Sequence, residues 1–183
     1  MIDVIEAAAR RIGLLADTHD DLVEWPPIQA RLAELLSGVE LLLHCGDLCT
    51  LRLLDRLAEI APVLAVRSPA DPAAAPPRLV DGPRVVRAGG LTIGVVNALG
   101  APPVEAEVGH TLRFPGLAAA RVGVEVFGRA VDVVVFGGSH VPCVASAAGI
   151  LFVNPGSPSL AEERSVGILD VGDGVAAAQI LAV

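Results

Sequence analysis

Short apolar runs that stop abruptly at an acid or an imidazole recur along this chain. Residues 11–16 run into Asp17-Thr18-His19, residues 40–44 into Cys45-Gly46-Asp47, and residues 131–136 into Gly137-Gly138-Ser139-His140. Runs of this length have the reach of buried strands. Between the first two, Ile28, Leu32, Leu35 and Leu36 fall at helical spacing, with Pro26 and Pro27 suited to a helix start and Gly38 to its end. A strand, a helix and a strand in that order predict a parallel pair joined by a crossover, so the loops carrying Asp17 and Asp47 share one sheet edge.

The alternation continues through a predicted helix at 51–60 and a strand at 62–66. Residues 68–83 then turn Pro- and Ala-rich, with Pro69, Pro72, Pro76 and Pro77 denying regular structure, and read as a loop. A hairpin is expected at 84–88 and 91–96 across Gly89-Gly90, an irregular stretch at 100–115, and a helix at 117–130 that tolerates Gly123 and Gly128. Short strands at 131–136, 141–145, 150–153, 165–171 and 175–181 finish the chain, while residues 1–10 lack a strand pattern and read as an N-terminal extension. Helices cluster early and hairpins late, which predicts an α/β fold with mixed strands. The length, 183 residues, suits one domain spanning 1–183.

Charge narrows the partners. The net charge is −8, and all 13 basic residues are arginines. Without a basic face, non-specific binding to nucleic acid or to an anionic membrane surface is disfavoured. The sequence shows no apolar window long enough to span a bilayer and no basic-then-apolar start, so a cytoplasmic protein is expected. Three cysteines, Cys45, Cys49 and Cys143, are odd in number and lack zinc-knuckle spacing, which argues against a disulfide scaffold.

Asp17, His19, Asp47 and His140 all stand where apolar runs end, and in α/β sheets ligands collect at the carboxyl ends of strands. Two carboxylates and two imidazoles make an O2N2 donor set, suited to Mn, Fe or Zn and too rich in nitrogen for a preferred Ca or Mg site.

These residues, taken with Val66-Arg67 followed by Asp71 and with Asn154-Pro155-Gly156-Ser157, resemble the ordered motifs of the calcineurin-like metallophosphoesterases. The nearest branch is that of small bacterial and archaeal phosphodiesterases, which includes the metal-poor subunit of the eukaryotic retromer coat. The resemblance runs from about Arg11 to Val183. It implies two mixed β-sheets packed as a sandwich with helices on both outer faces, a four-layer αββα arrangement, and a two-metal site at one end.

Carried over position by position, the resemblance gives the first metal Asp17, His19, Asp47 and His140. The second metal would share Asp47, and its remaining family ligands fall on Pro69, Asn97 and Gly138. Pro69 and Gly138 carry no donor side chain, which leaves Asn97 as a weak ligand. One divalent transition metal is therefore expected, with the second weak or absent. Asp47 and Asp71 are the expected catalytic acids and Arg67 the substrate-binding cation. His44, Cys45 and Cys143 read as packing residues, and His110 as a solvated loop imidazole.

The resemblance thus implies metal-dependent hydrolysis of a phosphodiester or small phosphate ester, reduced or altered by the degenerate second site. The alternative is a catalytically inactive module of the same fold that serves as a protein-binding surface, with a second copy of the chain or another protein as its partner.

Overall fold

The computed structural model describes residues 2–99, 105–107, 111–114 and 118–183. The first half is built from β1 (Val4–Glu6), β2 (Arg11–Leu15), α1 (Trp25–Leu35), β3 (Leu41–His44), α2 (Leu51–Ala58), β4 (Val63–Val66) and β5 (Leu79–Val80). It continues with β6 (Arg84–Ala88), β7 (Leu91–Val96), the short pair β8 (Glu105–Glu107) and β9 (Thr111–Arg113), and α3 (Val122–Phe127) behind a single 3-10 turn. β10 (Val133–Phe136), β11 (Cys143–Ala147), β12 (Ile150–Asn154), β13 (Ser165–Gly172) and β14 (Val175–Ala182) complete it.

Two six-stranded mixed sheets result. One has the order β14-β13-β2-β3-β4-β5, the other β1-β6-β7-β10-β12-β11. Within the first, β2, β3, β4 and β5 are parallel, and within the second β7, β10 and β12 are. Alternation along the strands settles which side chains meet. Ile12, Leu14, Leu41 and Leu43 from one sheet join Val86, Ile93, Val133 and Val135 from the other in a buried core between them. The opposite face of the first sheet is covered by α1 and α2 through Ile28, Leu32, Leu53, Leu54 and Leu57. α3 covers the second sheet through Val122 and Phe127. The sandwich with helices outside is the expected architecture.

Several elements differ from the sequence reading. β1 lies in the stretch read as an extension and pairs parallel to β6, with Val4 opposite Val85. Its three residues are too few to show periodicity. β5 sits inside the Pro-rich loop and pairs with β4 over two residues. α1 begins at Trp25 because prolines are tolerated in the first helical turn and the buried indole anchors it. α3 is shorter than residues 117–130: Gly128, at φ 67°, ends it in the left-handed conformation. β8 and β9 fall in the stretch read as irregular, and His110 lies outside the described residues. Among the described residues no helix is long and apolar enough to cross a membrane.

Candidate functional site

The parallel strands of both sheets deliver their carboxyl ends to one end of the sandwich. The loops after β2 and β3 extend the sheet beyond its last strand residues: Cys45 N–H donates to the Leu15 carbonyl, Asp17 N–H to that of Gly46, and His19 N–H to that of Asp47. From the other sheet, Gly137 N–H after β10 donates to the Asn97 carbonyl after β7. Asp17 then bridges the two sheets. Its carboxylate accepts the Gly138 N–H at 2.9 Å and the His140 N–H at 3.3 Å.

All four candidate ligands hold a left-handed backbone: φ is 52° at Asp17, 41° at His19, 56° at Asp47 and 57° at His140. Each such residue costs about 1–2 kcal/mol in an L-amino acid. Of the other non-glycine residues described with positive φ, Ala148 and Asp173 sit in hairpin turns and Cys49 in the Asp47 loop. Strain thus gathers where the polar side chains do, the pattern expected of a functional site.

The imidazoles of His19 and His140 face each other, Nε2 to Nε2 at 3.4 Å with ring centroids 5.2 Å apart. Two nitrogens about 2.0–2.1 Å from one tetrahedral ion stand about 3.3–3.4 Å apart, so this pair matches the span of a shared ion. Asp17 is fully buried. Burial raises its carboxyl to about 7, with the neighbouring Asp47 carboxylate adding to the rise and the Gly138 and His140 N–H groups opposing it. Among the described residues no three His, Cys, Asp or Glu side chains form a ready cage for an ion. The four groups meet in pairs, His19 with His140 and Asp17 with Asp47.

Behind these side chains stands a layer of groups that fix the loops. His44 is wholly buried, and burial pushes its imidazole down to about 4. Its Nδ1 accepts the Gly46 N–H, which leaves the Nε2 proton to face Thr18 Oγ1 at 3.1 Å. The hydroxyl in turn donates to the Asp47 carbonyl at 3.4 Å. A neutral histidine therefore ties the Asp17 loop to the Asp47 loop. From the segment after β12, Ser157 Oγ donates to the Asp17 carbonyl at 2.7 Å, and Ser159 Oγ to the Thr18 carbonyl at 2.6 Å.

The other expected site residues are placed as follows. Asp71 accepts four backbone N–H groups, from Asp47 and Ser68 on Oδ2 and from Leu48 and Cys49 on Oδ1, all within 3.0 Å. Its carboxylate is saturated, which makes it the anchor of the Asp47 loop. Asn97 donates from Nδ2 to the Cys45 carbonyl at 2.9 Å and to Asp47 Oδ2 at 3.1 Å. The carbonyl can only accept, so the amide turns its nitrogen, not its oxygen, to Asp47. Arg67 directs its guanidinium into the following loop, onto the carbonyls of Asp71 and Pro72 and the Asp81 carboxylate. Pro69 and Gly138 add no side-chain donors. A Cβ on Gly138 would meet nothing nearer than 3.7 Å, but its φ of 88° is strained for any other residue.

Two features escaped the sequence. Cys49 Sγ lies 3.5 Å from His19 Nδ1, and burial, with Asp21 beside it, pushes its thiol up to about 12. A groove of about 730 Å³ opens beside the Asp17 loop, lined in part by Asp20, Asp21, Trp25, Arg52 and Arg56. Asp20 joins the groove to α2 by accepting the Thr50 N–H and hydroxyl. Arg52 and Arg56, four residues apart on one helix, gave no signal beyond an ordinary amphipathic helix.

Comparison with known proteins places the chain among relatives. The family model for the calcineurin-like phosphoesterase superfamily domain matches residues 11–174. A protein named a probable metallophosphoesterase, from Methanocaldococcus jannaschii, is 30% identical over 151 residues, covering 81% of this chain and 68% of its own. An archaeal phosphodiesterase superposes with a TM-score of 0.65 at 20% identity, over 93% of this chain and 99% of its own. Vps29 of Entamoeba histolytica, crystallised as its complex with Zn2+, does so with a TM-score of 0.65 at 19% identity, over 94% and 98%. At these identities the two structures show a shared fold.

Proposed function

The chain belongs to the calcineurin-like phosphoesterase superfamily, and from that premise we propose that it is a metal-dependent phosphoesterase. Its substrate is a phosphodiester or small phosphate ester, and it holds one divalent transition metal, Mn, Fe or Zn, firmly. The observation that carries this reading is the left-handed backbone at all four candidate ligands. Backbone strain at Asp17, His19, Asp47 and His140 gathers in the loops at the strand ends, where strained residues are characteristic of functional sites.

Those four side chains would hold the ion, His19 and His140 through Nε2 and the aspartates through their carboxylates. A metal held there would supply Lewis acidity toward a water and toward phosphoryl oxygens. The protein's own contribution is positioning. Asp71 fixes the backbone that carries Asp47, His44 joins the two acidic loops, and Asn97 orients the Asp47 carboxylate by a hydrogen bond. The second metal position, resting on Pro69, Asn97 and Gly138, is weak or absent, so activity is reduced or altered relative to a two-metal enzyme. Arg67 is engaged elsewhere and Arg56 pairs with the buried Asp20 carboxylate, which leaves Arg52 in the adjoining groove to meet the remaining charge of the substrate. We place this activity in the cytoplasm.

A second reading has one observation in its favour. Leu22, Leu51 and Leu160 are exposed and lie in or beside the segments that frame the site. An inactive protein-binding module would use such a rim.

Metal content and turnover separate the two. After dialysis the chain is expected to retain about one Mn, Fe or Zn ion, lost in His140→Ala, and to hydrolyse bis(4-nitrophenyl) phosphate slowly. The combined variant Gly138→His, Asn97→His, Pro69→Asn, which bears the strain of a left-handed backbone at 138, should take up a second ion at a cost in Tm and act at least tenfold faster, a gain of about 1.4 kcal/mol in transition-state stabilisation. Metal uptake with no turnover in either protein would favour the module. Retention of two ions by the parent would overturn the degenerate-site reading.

A further inference from the structure

Both sheets end on the same flank of the sandwich, one at β1 and the other at β5. Between these edge strands runs a groove of about 470 Å³, walled by Ile2, Ile5, Val80 and the prolines of the 76–83 segment. Arg84, the first residue of β6, lines it. This arginine is 4% exposed. Its Nη2 donates to the Pro77 carbonyl at 2.6 Å, its Nη1 has no hydrogen-bond partner, and it forms no ion pair among the described residues. A buried, uncompensated guanidinium is expensive, and proteins seldom keep one without a use. Burial lowers its pKa in keeping with that expense.

The acids nearby do not meet its need. Asp81 lines the same groove, but its carboxylate is held by Arg67 Nη1 at 2.9 Å. Asp3, also on the lining, is exposed. The groove therefore combines apolar walls, one unsatisfied planar cationic donor and two acids close by. Its volume falls within the range of small-molecule sites, well above that of a single ion. The fork geometry of a guanidinium matches a carboxylate, while two neighbouring acids work against a doubly charged group.

We propose that this groove binds a small molecule with one carboxylate on an apolar body, the carboxylate meeting Arg84 and the body lying along Ile2, Ile5 and Val80. The site is independent of the phosphoesterase reading.

The test uses octanoate as probe on the full chain, with octanamide as its uncharged counterpart and inorganic phosphate as a compact anion. Octanoate should raise Tm saturably and shift the backbone amide resonances of Ile5, Val80 and Arg84. Octanamide and phosphate should do neither. Arg84→Met keeps the length and removes the charge, and should weaken octanoate binding at least tenfold. If that variant fails to fold, Ile5→Asp keeps the arginine and adds a third acid to the groove, and should produce the same loss. The proposal is overturned by equal binding of octanamide, by preference for phosphate, or by undiminished binding in the folded variants. It is equally overturned if octanoate gives no saturable shift, or if the shifts map to the Asp17 loop.

Discussion

Asp17 concentrates the conflict between folding and function. Its carboxyl titrates near 7 in the fold, against an ordinary value of 3.8, so between those values the native protein holds the proton that the unfolded chain releases. In a chelator, Asp17 therefore makes stability fall as pH rises across that window, by a few kcal/mol at about 1.4 kcal/mol for each tenfold difference in proton affinity. His44 acts with the opposite sign. Its native value near 4 lies below the usual 6.5, so the unfolded chain binds the proton first and stability climbs from pH 4 to 6.5. The two contributions largely offset each other in the parent. Asp17→Asn is expected to remove the falling one, raising the EDTA-treated protein's urea midpoint at pH 7.5 and leaving a visible climb between pH 4.5 and 6.5. A variant with a profile parallel to the parent's would show that Asp17 does not ionise at a cost. The ligand candidates were legible in the sequence because each interrupts an apolar run. The way they are held was not: Asp71, though singled out as an acid, serves by accepting four backbone N–H groups, and His44, Ser157 and Ser159 tie the loops by hydrogen bonds that leave no periodicity to read.

Among the elements, the best-read ones are those whose residues alternate or repeat at helical spacing, such as β2, β3, α2 and β7. β1 and β5 were missed because three or two residues carry no period, and their place at sheet edges is a property of the partner strand. Strand order was equally hidden, since nothing in the run of residues 165–171 tells that it lies against β2. The pairing of α3 with its sheet rests on Gly94 in β7. A Cβ there would lie 2.5 Å from the Phe127 ring, and the ring has no space to retreat because it is itself buried. Gly94→Ala is therefore expected to destabilise the protein by about 1–3 kcal/mol, measured as a lower urea midpoint at unchanged m. Gly174→Ala, at a turn where nothing lies within 4 Å of a Cβ, bears only the strain of its positive φ and serves as the comparison. Equal losses in the two would show that the ring is free to move.

At the scale of the whole molecule, the net charge of −8 argued against a polyanion surface as partner, and fold and family followed from motif order along nearly the entire chain. What composition could not supply is the chain's path. β2, near the start, is flanked on one side by β3 and on the other by β13, with Leu14 opposite Gly167. The Asp17 carbonyl is likewise held by Ser157, from the far end of the sequence. During synthesis the nascent chain must therefore expose one edge of β2 until the β13 segment emerges, and loop closure over that distance is slow. Refolding should accordingly proceed in two stages, with the β2–α1–β3–α2–β4 unit gaining protected amides first and residues 11–15 gaining full protection only with 165–172. Pulsed hydrogen exchange reads this directly, and simultaneous protection of all the strands would contradict it. The centre that gathers Asp17, His19, Asp47 and His140 is then the last part of the protein to exist. An incomplete chain, however well its early half has folded, still lacks His140 and the Gly138 and His140 N–H groups that hold the Asp17 carboxylate.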